Sequence, residues 1–245
     1  MAPPSTGWYR PVHAKTLLSQ ELRALLAARR LLVEKLRDLE NSLRGILRGF
    51  GLKLGRVGKA GFAARVRELV AGQAMLEAVS ASVLQAREAM REQYAVLHGR
   101  LLQVARGDEI CGRLMTVPGV GPVVALTFKA AVDDPARFAR SRAVGAHFGL
   151  APRKHQSGEV DRTGRISKVG DATVRTALFE AANVMLSRTV RPSALKAWAL
   201  EVARRRGMKR AKVALARKLA VVLHRIWVDG TSFRWRRAEE VLTAA

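Results

Sequence analysis

Apolar residues recur at four-three spacing along the first part of the chain. Leu18, Leu22, Leu25, Arg29, Leu32, Leu36, Leu39, Leu43, Ile46 and Phe50 form one row, apolar at nine of its ten positions. A seam held over more than four heptads predicts a single helix, on the order of 50 Å long at ~1.5 Å per residue, that starts near Thr16 and ends at Gly49–Gly51. Arg29 is the one polar member, where a cation either fixes register or carries its charge out to water. Leu52–Gly61, punctuated by Gly51, Gly55, Gly58 and Gly61, reads as a turn region. A second, weaker row follows at Leu69, Gln73, Leu76, Ser80, Val83, Arg87, Met90, Tyr94, Leu97 and Leu101. The two segments either fold back on each other as a hairpin or pair with another chain, which makes dimerisation through them an expectation.

Beyond residue 108 the pattern shortens. Leu114–Ala125 places a short helix before the turn Val117-Pro-Gly-Val-Gly-Pro122 and opens a new helix at Pro122, with Pro suited to the first turn. This is the pattern of a helix-hairpin-helix, with an ordinary turn between helices as the alternative. In the first case Gly119 and Gly121 let the backbone approach a phosphate while the amides from Val120 to Val123 supply donors. Helices over 123–131 and 138–148 read as core, with Asp133 and Asp134 as a loop and cap pair. Pro152–Gly170 shows neither helical nor strand period and is expected to be a long polar loop, the kind that more often serves function than packing. Asp171 then caps a helix over Ala172–Leu186 whose Val174, Leu178, Ala181 and Met185 share a face. After Pro192 a helix is expected through Trp198 and Val202, broken near Gly207 and resumed over Lys209–Trp227 with Leu219, Val222, Leu223 and Ile226 buried. The fold class is therefore mainly α: a long coiled-coil helical hairpin, residues 16–108, followed by a compact helical domain, residues 109–245.

Charge changes this picture most. The 245 residues carry 44 Lys and Arg against 20 Asp and Glu, a formal net charge of +24, while a hydrophobic fraction of 49% allows a real core. A single cysteine, Cys111, excludes a disulfide framework and Cys-rich zinc sites, and the five histidines show no metal-ligand spacing. No apolar run approaches a membrane span, and the first ten residues lack a signal-peptide core, so a cytoplasmic protein without a membrane partner is expected. Aromatics at 5% give little support to binding at an anionic membrane surface. Nucleic acid remains as the acidic partner. Residues 152–245 are the most basic stretch, peaking at Arg204, Arg205, Arg206, Lys209, Arg210 and Lys212, then Arg217 and Lys218, with no acid inside the run. Such a surface releases counterions from a phosphate backbone; a solvated helix face is the alternative.

The loop at 152–170 carries the candidate chemistry. A serine hydroxyl among Arg153, Lys154, Arg162, Arg165 and Lys168 can attack a phosphodiester if a base takes its proton and cations stabilise the charge on phosphorus. Ser157, beside Gly158, and Ser167, between Ile166 and Lys168, both qualify from the residues alone. His155 reads more readily as a solvated histidine than as the base. Glu159 and Asp161 are weak evidence for magnesium.

Here the chain resembles a known family, the IS110-type insertion-sequence transposases (grouped with IS116 and IS902), bridge-RNA-guided recombinases in at least some members. The resemblance rests on Val117-Pro-Gly-Val-Gly-Pro122, Phe148-Gly-Leu-Ala-Pro-Arg153, Gln156-Ser-Gly158 and Gly164-Arg-Ile-Ser-Lys-Val-Gly170. It extends back to Gly7-Trp-Tyr-Arg-Pro-Val-His-Ala-Lys15 and forward to about Trp235. It implies a serine nucleophile forming a covalent phosphoserine with DNA, which falls on Ser157 and not Ser167. It further implies helices that pair subunits into a homo-oligomer, a structured guide RNA as a partner beside DNA, and magnesium held by an acidic resolvase-like domain. That domain would precede Gly7, so residues 1–15 read as the remnant of a linker and the chain as a truncated copy, with no metal of its own, that needs the acidic domain in trans. The alternative is a non-enzymatic module that dimerises and holds DNA or RNA.

Overall fold

The computed structural model describes residues 13–157 and 160–235, with the backbone alone for 154–156 and 160–163. The chain divides into two compact units, one formed by Ala24–Val104 and the other by the stretch up to Arg23 together with the residues from Ala105 on.

In the first unit, helix α1 (Leu17–Gly49) and helix α3 (Ala74–Gly107) run antiparallel, with the short helix α2 (Phe62–Val70) in the connection. Pairing across them is fixed by polar contacts. Arg29 donates to His98 Nδ1 at 3.2 Å and to the Tyr94 hydroxyl at 3.1 Å, and its guanidinium stands over the Tyr94 ring, which stacks on His98. Arg29 therefore sets register. Farther along, the buried Arg87 donates to Glu40 at 2.7 Å and to the Lys59 carbonyl at 3.0 Å, and lies over Phe62. A satisfied buried cation of this kind ties both helices and the connection together.

The expected row is shielded along its middle and open at its ends. Leu22, Leu25, Arg29, Leu32, Leu36, Leu39 and Leu43 are buried or half-buried as predicted, joined from neighbouring positions by Ser19, Leu26, Glu40 and Leu47, while Leu18, Ile46 and Phe50 of the expected row stay exposed. The helix offers leucines on both sides of Leu22 and Leu43, so sequence spacing could not choose between adjacent faces. The second row is broken at 71–73, where α2 ends and α3 begins, so Leu69 belongs to a separate helix. Leu43, Leu47, Leu54, Phe62, Val66, Val70, Leu76 and Leu84 close the core at this end.

The second unit contains α4 (Glu109–Leu114), α5 (Pro122–Val132), a single 3-10 turn at Pro135–Arg137, α6 (Arg142–His147), strands β1 (Pro152–Ser157) and β2 (Val160–Ile166), α7 (Ala172–Ser187), α8 (Ala194–Arg206) and α9 (Met208–Asp229). Helix α5 is buried nearly all round and packs against α7, which packs in turn against α9; Val174, Leu178, Ala181 and Met185 of α7 and Leu215, Leu219 and Leu223 of α9 are buried. The expected core helix over 138–148 shrinks to α6. Phe138 instead caps the 3-10 turn, and its ring meets His147 and His224 edge-on.

Asp133 is not the simple loop residue expected. The Asp134 amide bonds the Val132 carbonyl across it at 2.9 Å, and Asp133 has φ +67°, ψ −67°, the rare strained γ-turn. This aims its carboxylate at the start of α1. Thr16 donates to it from backbone and hydroxyl at 3.0 and 2.6 Å, and His13 lies at 2.7 Å, while Thr16 Oγ caps the Ser19 amide. Burial works to raise the Asp133 carboxyl, but its hydrogen bonds to Ser19, Thr16 and His13 outweigh that and hold it well below the usual carboxylate range.

Candidate nucleic-acid interface and serine site

The segment expected to be a loop is a β-hairpin. Strands β1 and β2 pair antiparallel with Pro152 opposite Ile166, Lys154 opposite Thr163, His155 opposite Arg162, Gln156 opposite Asp161 and Ser157 opposite Val160, and the register shifts between Pro152 and Lys154. No alternation of apolar residues marks these strands, because Arg153–Ser157 holds no apolar residue and the two-stranded pairing alone defines them.

Its base is held by backbone against backbone. A Cβ on Gly149 would stand 2.2 Å from the Val169 carbonyl, and one on Gly170 would stand 2.3 Å from that of His147. Both glycines have positive φ. The Lys168 amide bonds the Gly149 carbonyl at 3.0 Å and the Ser167 amide bonds that of Ala151 at 2.9 Å. Arg175 on α7 then donates to the carbonyls of Phe148, Val169 and Gly170 at 3.2, 3.0 and 2.9 Å. The segments Phe148–Leu150 and Lys168–Gly170 thus cross in contact, clamped by one guanidinium. Next in the chain, Asp171 caps α7 through Thr173 and Val174 and accepts from Arg23 at 2.7 Å. Burial pulls its carboxyl upward, and the bonds from Arg23 and the Thr173 amide more than reverse this.

This geometry separates the two serines. Ser157 ends β1 and is exposed, six residues beyond Ala151 and clear of the clamp. Ser167 is part of the clamp, half-buried, with its carbonyl accepting from Arg153 at 3.2 Å. Arg153, Arg165 and Lys168 are exposed around the base, Lys168 with a positive φ of 58°. Lys154 and Arg162 occupy strand positions whose side chains are not described; Gly158 and Glu159 lie outside the described residues, as does the motif segment up to Val12.

The basic run spans the joint between α8 and α9, broken at Gly207. Arg204 and Arg205 meet Glu201 at 3.0 and 3.6 Å in exposed pairs worth about 0–1 kcal/mol, which leave both cations available. Arg206, Lys209 and Arg210 are exposed with no carboxylate within 4 Å among the described residues, and Lys212 is half-buried. Farther along α9, Arg217 packs its stem on Gly145 of α6, and α6 leads into the hairpin.

The turn at Gly119 is oriented otherwise than expected. A Cβ on Gly119, φ +85°, would stand 2.3 Å from the Ala181 carbonyl of α7, so this glycine serves close packing within the protein instead of approach to a phosphate. Val120 is buried with its amide bonded to the Val117 carbonyl at 3.0 Å, and Pro122 has no amide hydrogen. Gly121, the N-cap of α5, has open space around its Cα; with Val123 and Val124 it leaves three half-buried amides at that helix start.

Sequence reasoning passed over Arg175, whose position one turn into a helix carries no signal of its own. It also passed over the buried His224 and its partner Ser141, where Nδ1 lies 3.0 Å from the hydroxyl and Nε2 3.0 Å from the Pro135 carbonyl. Since that carbonyl only accepts, Nε2 carries the proton and Nδ1 accepts from Ser141, which fastens α6 to α9. Cys111 is buried beside the Asp108–Lys129 ion pair, and burial followed by the Asp108 charge pushes its thiol up to about 12. No three His, Cys, Asp or Glu side chains gather to hold a metal among the described residues, and no helix of these residues is long and apolar enough to cross a membrane.

Residues 111–199 match the model of the transposase IS116/IS110/IS902 family. The chain is similar to a probable family 20 transposase of Pseudomonas aeruginosa, 31% identical over 234 residues, which span 92% of this chain and 68% of that one. The chain belongs to the IS116/IS110/IS902 transposase family. Further family relatives are the transposase for insertion sequence element IS1111A of Coxiella burnetii, 33% identical over 92% of this chain and 63% of its own length, and a putative transposase of Sinorhizobium fredii, 30% identical over 92% and 59%. The chain thus spans about three fifths of the length of these two transposases. The family-matched stretch contains the Gly119 turn, the clamp, the β-hairpin and α7, and ends within α8.

Proposed function

We propose that this chain carries the serine segment of an insertion-sequence transposase, with Ser157 as the nucleophile. The observation that supports this most is the contrast between the two serines: Ser157 is exposed at the end of a strand whose base is clamped by Gly149, Gly170 and Arg175, while Ser167 is part of the clamp. A clamped base with an exposed hydroxyl suits a group that must meet phosphorus in a defined direction. In the step, Ser157 Oγ bonds to phosphorus as its proton passes to a base, a bridging P–O bond breaks, and the departing oxygen takes up a proton. Arg153, Lys154, Arg162, Arg165 and Lys168 stabilise the charge on the phosphoryl oxygens. The joint at Arg204, Arg205, Arg206, Lys209, Arg210 and Lys212 holds the DNA backbone, or that of a guide RNA, and the free amides at Gly121 add donors. The long helices associate with a second copy.

Magnesium, held by an acidic domain from outside residues 13–235, on a longer chain or a second polypeptide, would activate the phosphate. With that domain supplied, a covalent protein–DNA adduct forms on wild type and is absent from Ser157→Ala; an adduct that persists in Ser157→Ala rejects the assignment. The exposed cations Arg206, Lys209 and Arg210, without a carboxylate partner among the described residues, also suit a second reading, a nucleic-acid-binding module without cleavage. It predicts salt-sensitive binding and no adduct under any metal.

A further inference from the structure

The loop that closes the helical hairpin concentrates positive charge that the serine chemistry does not use. From Arg44 to Arg67 the sequence holds seven Lys and Arg and no Asp or Glu. Arg44, Arg48 and Lys53 line, with Leu52, Leu54 and Gly55, a cavity of about 310 Å³. One side of it is fixed: Arg44 donates to the Gly55 carbonyl at 3.1 Å and lies over the Phe62 ring, while Leu54 is buried in the core below. Arg48 and Lys53 are free to meet a ligand. Both are exposed, and neither has a carboxylate within 4 Å among the described residues, whereas on the same helix Arg30 pairs with Glu34 and Lys35 with Asp38.

The backbone of the loop is equally bare. Gly51 and Gly55 have φ of +76° and +67°, with open space where a side chain would stand. The amides of Lys53 and Gly55 find no acceptor among the described residues. Three cations lining one cavity and two amides without an acceptor among the described residues are donors of the kind that an oxyanion requires. The cavity is large enough for a phosphodiester with a flanking sugar.

We infer that this loop is a second phosphate site, taking the sugar–phosphate backbone of a nucleic acid between Arg48 and Lys53, with Arg44 as the residue that positions it. The inference goes beyond the serine reading and holds whether or not Ser157 reacts.

The test uses the full chain and its Arg48→Ala, Lys53→Ala double variant, with binding of uncleaved duplex and single-stranded oligonucleotides followed by anisotropy between about 50 and 200 mM salt without divalent metal. The dependence of log K on log salt is expected to flatten by about 0.9 on duplex and about 0.7 on single strand, the slopes for one phosphate. Circular dichroism and Tm should be unchanged, because both side chains are exposed. In wild type, the oligonucleotide should also slow acylation of Lys53 several-fold while leaving Lys35 unaffected. Slopes equal to wild type on both substrates overturn the inference, as does a Lys53 acylated equally fast with and without nucleic acid. Since no cleavage is scored, a failed adduct assay at Ser157 bears on the serine reading alone.

Discussion

Between Ala24 and Val104 the chain holds two helices together through side chains and leaves their backbones apart; from Ala105 on it lets backbones touch. In the hairpin, Gly45 and Gly99 have nothing within 4 Å of where a Cβ would stand, and specificity comes from Arg29 and Arg87. In the second unit Gly119 meets α7, and Gly149 and Gly170 meet the segments that cross them, at distances no side chain permits. The first kind of contact sets register along a seam that tolerates a shift of face. The second fixes a position, and the serine hairpin stands on it.

Gly119→Ala should break this comparison most. Overpacking of about 1–3 kcal/mol and a left-handed φ costing about 1–2 kcal/mol combine to a loss of roughly 2–5 kcal/mol, and a Tm lower by about 10 °C in a thermal melt. Arg87→Ala removes the buried cation and leaves Glu40 and the Lys59 carbonyl without it, for an expected loss of about 3 kcal/mol in a urea titration.

A third effect depends on pH. The native carboxyl of Asp133 lies below its unfolded value, so the folded state binds fewer protons there and the contribution is complete above the ordinary carboxylate range. It is lost as pH falls through the lowered native value. The drop in urea midpoint between pH 7 and pH 3 should therefore be smaller in Asp133→Asn than in wild type, measured on a signal from the second unit. The smallest effect has the opposite sign. Gly45→Ala and Gly99→Ala, in open helical positions, should each stabilise by about 0.5–1 kcal/mol and raise Tm slightly.

The same contrast explains what could be read from sequence. The bounds of α1, α8 and α9, the Asp171 cap and the break at Gly207 were legible because period and capping are local signals. Which side of Leu22 and Leu43 the seam would take was not, since leucines flank both. The β-hairpin left no periodic trace, because Arg153–Ser157 holds no apolar residue whose alternation could show it. At the candidate site, the motif residues around Gly149 and Gly170 were visible, but their work of crossing backbones depends on tertiary approach, and Arg175 joins them from a helix whose pattern points elsewhere. Gly119 showed its glycine and hid its neighbour, which is why an expected phosphate contact turned out to be a helix contact.

On the proposed reading Ser157, and not Ser167, takes the phosphoryl group. Trypsin separates the two, since cleavage after Lys154, Arg162, Arg165 and Lys168 places Ser157 in His155–Arg162 and Ser167 in Ile166–Lys168. Mass spectrometry of the nuclease-trimmed protein–DNA adduct, formed with the acidic domain supplied, should find the residual nucleotide on His155–Arg162. A nucleotide on Ile166–Lys168 would contradict the account.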